Sequence, residues 1–141
     1  MNMRVLLCDD EIHILRAAEF KLKRAGCDVR TAGDGEEGWE VILGWLPDIV
    51  ITDCQMPRLD GLGLVRRIRE EPATRDLPIL MLTAKGFELS PEELLANWNV
   101  AALIAKPFSP RELLETVKRV LTEPQPSNPE PSCASSVGNL W

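Results

Sequence analysis

Short apolar runs alternate with amphipathic stretches along almost the whole chain. Arg4–Cys8, Cys27–Thr31, Ile49–Thr52, Ile79–Leu82 and Ala101–Ala105 are runs of four or five residues, the length of a strand buried on both faces. Between them the period changes. Glu11–Ala25 sets Ile14, Leu15, Ala18, Leu22 and Ala25 along one face at helical spacing, and Gly26 follows as a left-handed cap residue. Glu36–Gly44 is a second helix carrying Trp39, Val41, Ile42 and Leu43, and Leu62–Glu70 a third, in which Arg and apolar residues alternate. Ser90-Pro91-Glu92-Glu93 and Ser109-Pro110-Arg111-Glu112 repeat one start signal: a Ser cap, Pro in the first turn and Glu at the third position. The last helix runs to about Leu121, with Leu113, Leu114, Val117, Val120 and Leu121 as its apolar stripe.

Strand and helix therefore alternate five times. Short connectors between such units imply an α/β domain with a parallel sheet and helices on both faces. The pattern stops near residue 122. Residues 123–141 are rich in Pro and Ser and have no periodicity, which predicts a disordered tail or a truncated linker after a domain over 1–122.

Composition narrows the class. Of 141 residues, 45% are hydrophobic and 27% charged, enough for a real core and a soluble surface. The formal net charge is −6 and no Lys/Arg block occurs, which argues against direct nucleic-acid binding. The chain shows no membrane-length apolar run and no signal peptide, so a cytoplasmic location is expected and no membrane partner. Cys8, Cys27, Cys54 and Cys133 form no CxxC, and His13 stands alone, so zinc spacing is absent and the thiols are expected to be reduced.

Chemistry concentrates where the apolar runs end. Asp9 and Asp10 follow the first run, Asp53 the third, Thr83 the fourth and Lys106 the fifth. The C-terminal ends of parallel strands share one rim of the sheet, where ligands bind. Each residue taken alone has an ordinary structural explanation: Asp9 or Asp10 as a cap of the first helix, Thr83 as a strand residue, Lys106 as a solvated charge. Taken together they do not. Carboxylates brought to about 4 Å repel by roughly 4 kcal/mol per pair at an effective dielectric near 20, and one lysine does not balance three of them. A hard divalent cation does, and Mg2+ suits carboxylate, carbonyl and water ligands. A carboxylate beside such a cation is a known acceptor of phosphoryl groups, and Asp53 is the candidate.

The "LLCDDE", "PDIVITDCQMPRLDGL", "LTA" and "AKPFSPREL" segments, in this order, resemble the receiver domain of two-component response regulators over about residues 3–121. The resemblance implies a flavodoxin-like doubly wound (βα)5 fold with strand order 2-1-3-4-5. It implies Mg2+ held by Asp10, Asp53 and the backbone carbonyl of Gln55, with Asp9 acting through water. It further implies that Asp53 is phosphorylated by a histidine kinase or a histidine phosphotransfer protein, that Lys106 neutralises charge and that Thr83 senses the phosphoryl group. The family's cis peptide bond is expected before Pro107. The domain is then no enzyme in its own right, but a phosphoacceptor that assists its own phosphorylation and dephosphorylation.

The chain departs from that pattern in its readout. The switch aromatic, three residues before the lysine, is Leu103; Ala101 and Ala102 replace an acidic pair; Asn99 takes a usual glycine place. Leu94, Leu95 and Trp98 make the face around the helix that starts at Ser90 apolar, a surface for a downstream protein or a second copy of the chain. Trp98 is read either as core or as part of that face. On the first helix His13, Ala17, Phe20, Lys21 and Arg24 lie opposite the core stripe, with Phe20 as a candidate kinase contact. Two functions remain open: a phosphorylation switch, and a non-switching interaction module of the same fold. A metal-dependent phosphatase is disfavoured because Gln55, not Asp, stands two residues after Asp53. Gln55 and Lys85 are expected to tune water access to the phosphoryl group.

Overall fold

Five parallel strands, β1 (Arg4–Cys8), β2 (Asp28–Ala32), β3 (Ile49–Asp53), β4 (Ile79–Thr83) and β5 (Ala102–Ala105), form one sheet in the order β2-β1-β3-β4-β5. The structure is a computed structural model and describes residues 3–83 and 98–122. Four helices are described: α1 (Ile12–Arg24), α2 (Gly35–Gly44), α3 (Gly61–Glu70) and α4 (Pro110–Thr122). The predicted helix start at Ser90, with Lys85, Leu94 and Leu95, lies outside the described residues, as do residues 123–141 with Cys133 and Trp141.

The alternating side-chain directions of the strands build two cores. Leu6, Cys8, Val50, Ile79 and Met81 face α2 and α3, packing with Ile42, Leu64 and Ile68. Val5, Leu7, Ile49, Ile51, Leu80 and Leu82 face the opposite layer and pack with Leu15, Ala18 and Leu22 of α1 and Leu113, Val117 and Val120 of α4. The three inner strands are buried on both faces, so they read as unbroken apolar runs. Edge strand β2 alternates exposed and half-buried positions before ending in buried Ala32.

Among the described residues the predicted elements stand, with ends shifted by a residue or so. β2 runs from Asp28 to Ala32 rather than from Cys27 to Thr31, and β5 begins at Ala102. In α1 the fully buried stripe is Leu15, Ala18 and Leu22; Ile14 flanks it half-buried, and Ala25 is an exposed cap. Of the apolar residues that α2 carries, Ile42 is buried, whereas Leu43 is 64% exposed. Neither Asp9 nor Asp10 caps α1; Glu11 holds that position. Asp34 caps α2 by accepting from the Glu37 backbone N–H at 2.9 Å, and Asp60 caps α3 through Gly63. Ser109 accepts from the Glu112 backbone N–H at 3.0 Å, as the start signal requires. Gly26 has φ +96° and Asn99 φ 53°, the left-handed conformations expected at both.

Candidate functional site

The C-terminal ends of β1, β3, β4 and β5 meet at one rim. Pairing of Cys8 with Thr52, Asp53 with Leu82 and Thr83 with Ala105 fixes the register of these ends. Asp9 is 1% and Asp53 5% exposed, whereas Asp10 is exposed. One carboxylate oxygen from each of Asp9, Asp10 and Asp53 lies within 4.8 Å of the others. Gly61 makes the turn after β3 possible. Its N–H bonds the Cys54 carbonyl at 3.0 Å, and any Cβ there would collide with the backbone carbonyl of Asp53.

Lys106 enters this cluster from β5. Its Nζ donates to Asp53 Oδ2 at 2.9 Å and to Glu11 Oε2 at 2.6 Å. Asp9 Oδ2 is 3.0 Å from the same Nζ, an ion pair without the angles of a hydrogen bond, which leaves that buried oxygen with no hydrogen-bond donor. The other oxygen of Asp9 accepts from the Glu11 N–H at 2.9 Å. The bond between Lys106 and Pro107 is cis, as the resemblance implied. Glu11 was not among the residues singled out in the sequence. Its place directly after the acidic pair was the available signal.

The electrostatics follow from burial. Burial is the main cause raising the Asp9 pKa; the Glu11 N–H and Lys106 work against it, and Asp53 adds to it. Burial lowers the Lys106 pKa, but its bonds to Glu11 and Asp53 and the charge of Asp9 beside it outweigh that and hold the ammonium charged above its ordinary range. Among the described residues the cluster sets four carboxylates, Asp9, Asp10, Glu11 and Asp53, against one ammonium. Oxygens of three carboxylates converge, and Asp9 has a buried oxygen without a hydrogen-bond donor, a set that fits a hard divalent cation.

The loop after Asp53 is tied down. Gln55 is exposed, and its N–H points to Asp53 Oδ1 at 3.3 Å. Three residues on, Arg58 has a left-handed backbone, φ 64°, and its guanidinium pairs with Asp34, the cap of α2. The Gly35 N–H bonds the Leu59 carbonyl at 2.8 Å. The loop is thus fastened to the start of α2.

Thr83 ends β4 half-exposed beside this rim, and the Lys106 N–H bonds its carbonyl at 2.8 Å. Leu103 is half-buried against the core that faces α2 and α3. Trp98 packs on the same core and Arg66 lies over its ring at 5.8 Å, so core packing accounts for much of that side chain. Phe20 is 64% exposed on α1, with Arg24 at 5.7 Å from its ring. Nearer the rim, His13 and Ala17 of α1 line a groove of about 220 Å³ with Pro107, Phe108 and Pro110.

The cysteines near the site are not reactive groups. Burial pushes the Cys8 thiol far up, helped by Glu37, Asp34 and Asp9, and raises Cys54 to about 12, helped by Asp53 and Asp60. Neither thiolate exists at neutral pH.

A doubly wound α/β domain with acids and a lysine on the strand C-termini is the class that this fold and site define. Residues 5–118 match the family model described as response regulator receiver domain. The chain belongs to that family, the receiver domains of two-component systems. It is 38% identical over 121 residues to the alkaline phosphatase synthesis transcriptional regulatory protein PhoP of Bacillus subtilis, covering 86% of this chain and 49% of that protein. It is 36% identical over 128 residues to the phosphate regulon transcriptional regulatory protein PhoB of Pseudomonas aeruginosa, covering 89% of this chain and 55% of that protein. The chain thus spans about half the length of these relatives. Among solved structures it resembles the chemotaxis response regulator CheY4 of Vibrio cholerae, with TM-score 0.77 and 34% identity over 86% of this chain and 100% of that one. Among the described residues, no helix is long and apolar enough to cross a membrane.

Proposed function

We propose that this receiver is a phosphorylation switch in the cytoplasm. Asp53 accepts a phosphoryl group from a phosphohistidine on a histidine kinase or a phosphotransfer protein. The supporting observation is the position of Lys106 Nζ, 2.9 Å from Asp53 Oδ2 and beside a cluster of three carboxylates. Asp10, Asp53 and the Gln55 carbonyl would hold Mg2+, with Asp9 acting through water. Bound there, Mg2+ supplies positive charge against the oxygens of the phosphoryl group.

Asp53 attacks the phosphorus with a carboxylate oxygen. An O–P bond forms as the P–N bond to the imidazole breaks, and the leaving electron pair stays on the imidazole nitrogen. The transition state is loose, so positioning and charge neutralisation do most of the work. Lys106 turns from the carboxylate to the incoming phosphoryl oxygens. The Thr83 hydroxyl then donates to one of them, and β4 carries that change toward Leu103. The PhoP and PhoB relatives are named as transcriptional regulators. Their greater length leaves room for an output region, which this reading takes to be the downstream target of the switch.

Incubation with acetyl phosphate and Mg2+ should add one phosphoryl mass to the intact protein and none to Asp53→Ala. Labelling that survives the substitution would remove Asp53 from its role.

A second reading draws support from Leu103. This residue packs into the core and has no ring to rotate, so the domain could bind partners without switching. Backbone NMR shifts with and without beryllofluoride separate the two readings. Changes that reach β5 support the switch, and changes confined to the pocket support the static module.

A further inference from the structure

Glu11 is unlike the other acids around Lys106. Asp9 and Asp53 are buried, while the Glu11 side chain is 57% exposed at the mouth of the pocket. Yet it makes the shortest contact to the ammonium, 2.6 Å against 2.9 Å for Asp53 and 3.0 Å for Asp9. Lys106 is itself only 12% exposed, so its charge is shared between one outer carboxylate and two inner ones. An ammonium offers three protons, and two of its hydrogen bonds go to Glu11 and Asp53.

We propose that Glu11 is a positioning residue that competes with the phosphoryl group for Lys106, with opposite effects on the two ligands of the pocket. The inference rests on Asp53 being the phosphoacceptor. Before phosphorylation, Glu11 offsets the charge of Lys106 and draws it toward the mouth. That leaves the inner carboxylates freer to attract a divalent cation. During phosphorylation the same pairing works against transfer. Lys106 must be shared with the new phosphoryl oxygens, and its pairing with Glu11 holds it back from them. Glu11 therefore favours cation binding and restrains phosphorylation.

The test compares wild type, Glu11→Gln and Glu11→Asp. Mg2+ affinity is followed by NMR titration of the Gln55 amide, and phosphorylation by intact mass at saturating Mg2+ with acetyl phosphate. Glu11→Gln should bind Mg2+ about two- to fivefold more weakly and be phosphorylated about two- to fivefold faster, the range open to a half-exposed ion pair. Glu11→Asp keeps the charge but shortens the reach by one methylene, so it should move both readings in the same directions as Gln. Equal changes of one sign in both readings, or no change, would overturn the inference. So would wild-type behaviour of Glu11→Asp, because bulk charge and not pairing to Lys106 would then be responsible. Wild-type protein that takes no phosphoryl at all would instead overturn the assignment of Asp53.

Discussion

Two cations are drawn into the body of this domain, and they are held by different chemistry. Lys106 sits among the carboxylates of Asp9, Glu11 and Asp53. Among the described residues, Arg69, on α3, hydrogen-bonds only neutral oxygens: the carbonyls of Arg75, Leu77, Trp98 and Asn99 at 2.7 to 3.0 Å. Burial lowers the Arg69 pKa and Asp76 offsets part of that, but a guanidinium stays charged throughout. Its planar fork suits several carbonyls at once. The difference separates a structural cation from an exchangeable one. Carbonyl dipoles fixed by the backbone cannot leave, so Arg69 fastens the approach to β4 and the turn before β5 permanently. Carboxylates can trade one cation for another, so Lys106 can move whenever charge arrives.

Removing Arg69 should have the largest effect. Arg69→Met keeps the stem but leaves four carbonyls without their charged donor, a loss of about 3 kcal/mol. Urea unfolding should show that loss equally with and without Mg2+. A loss that Mg2+ restored would place Arg69 in the same class as Lys106 and dissolve the distinction.

Lys106→Met should cost somewhat less and behave differently. It strands Asp9 and Asp53 without a cation, and breaking a partly buried pair in this way costs about 2 kcal/mol once solvent access is allowed for. Because the remaining partners are carboxylates, excess Mg2+ should return most of that stability. Unfolding in EDTA and in Mg2+ measures both values. Equal losses in the two buffers would mean that no cation replaces Lys106 in the pocket.

The same contrast explains what could be read from the sequence. The alternation of strand and helix, the two faces they cover and the convergence of Asp9, Asp10, Asp53 and Lys106 were legible, because each follows from an apolar run and the residue that ends it; the strand order came only from the family resemblance. Asn99 and Gly26 were legible because few residues accept a left-handed backbone. The role of Arg69 was not, since four backbone carbonyls have no sequence signature. Glu11 was missed for a related reason: its partner lies 95 residues away, and only the fold brings the two together.

Arg58 tests the contrast at a third site, where one carboxylate holds one guanidinium. Asp34 caps α2 through Glu37 and pairs with Arg58, and these two bonds do different work. Its pKa lies below the ordinary 3.8; the Glu37 N–H is the main cause, burial opposes it and Arg58 adds to it. A carboxyl depressed on folding stabilises the protein above its unfolded pKa, and that contribution is lost as pH falls through the folded value. Asp34→Ala, losing cap and pair, should cost about 1 kcal/mol near pH 7. Asp34→Asn keeps a capping oxygen and should cost less. Its deficit relative to wild type should be constant at neutral pH and shrink below the ordinary carboxylate pKa, as the wild-type carboxyl is protonated. If the Asn deficit did not change with pH, the charge on Asp34 would contribute nothing, and the loop carrying Gln55 would be held by the backbone bond from Gly35 to Leu59 and not by Arg58.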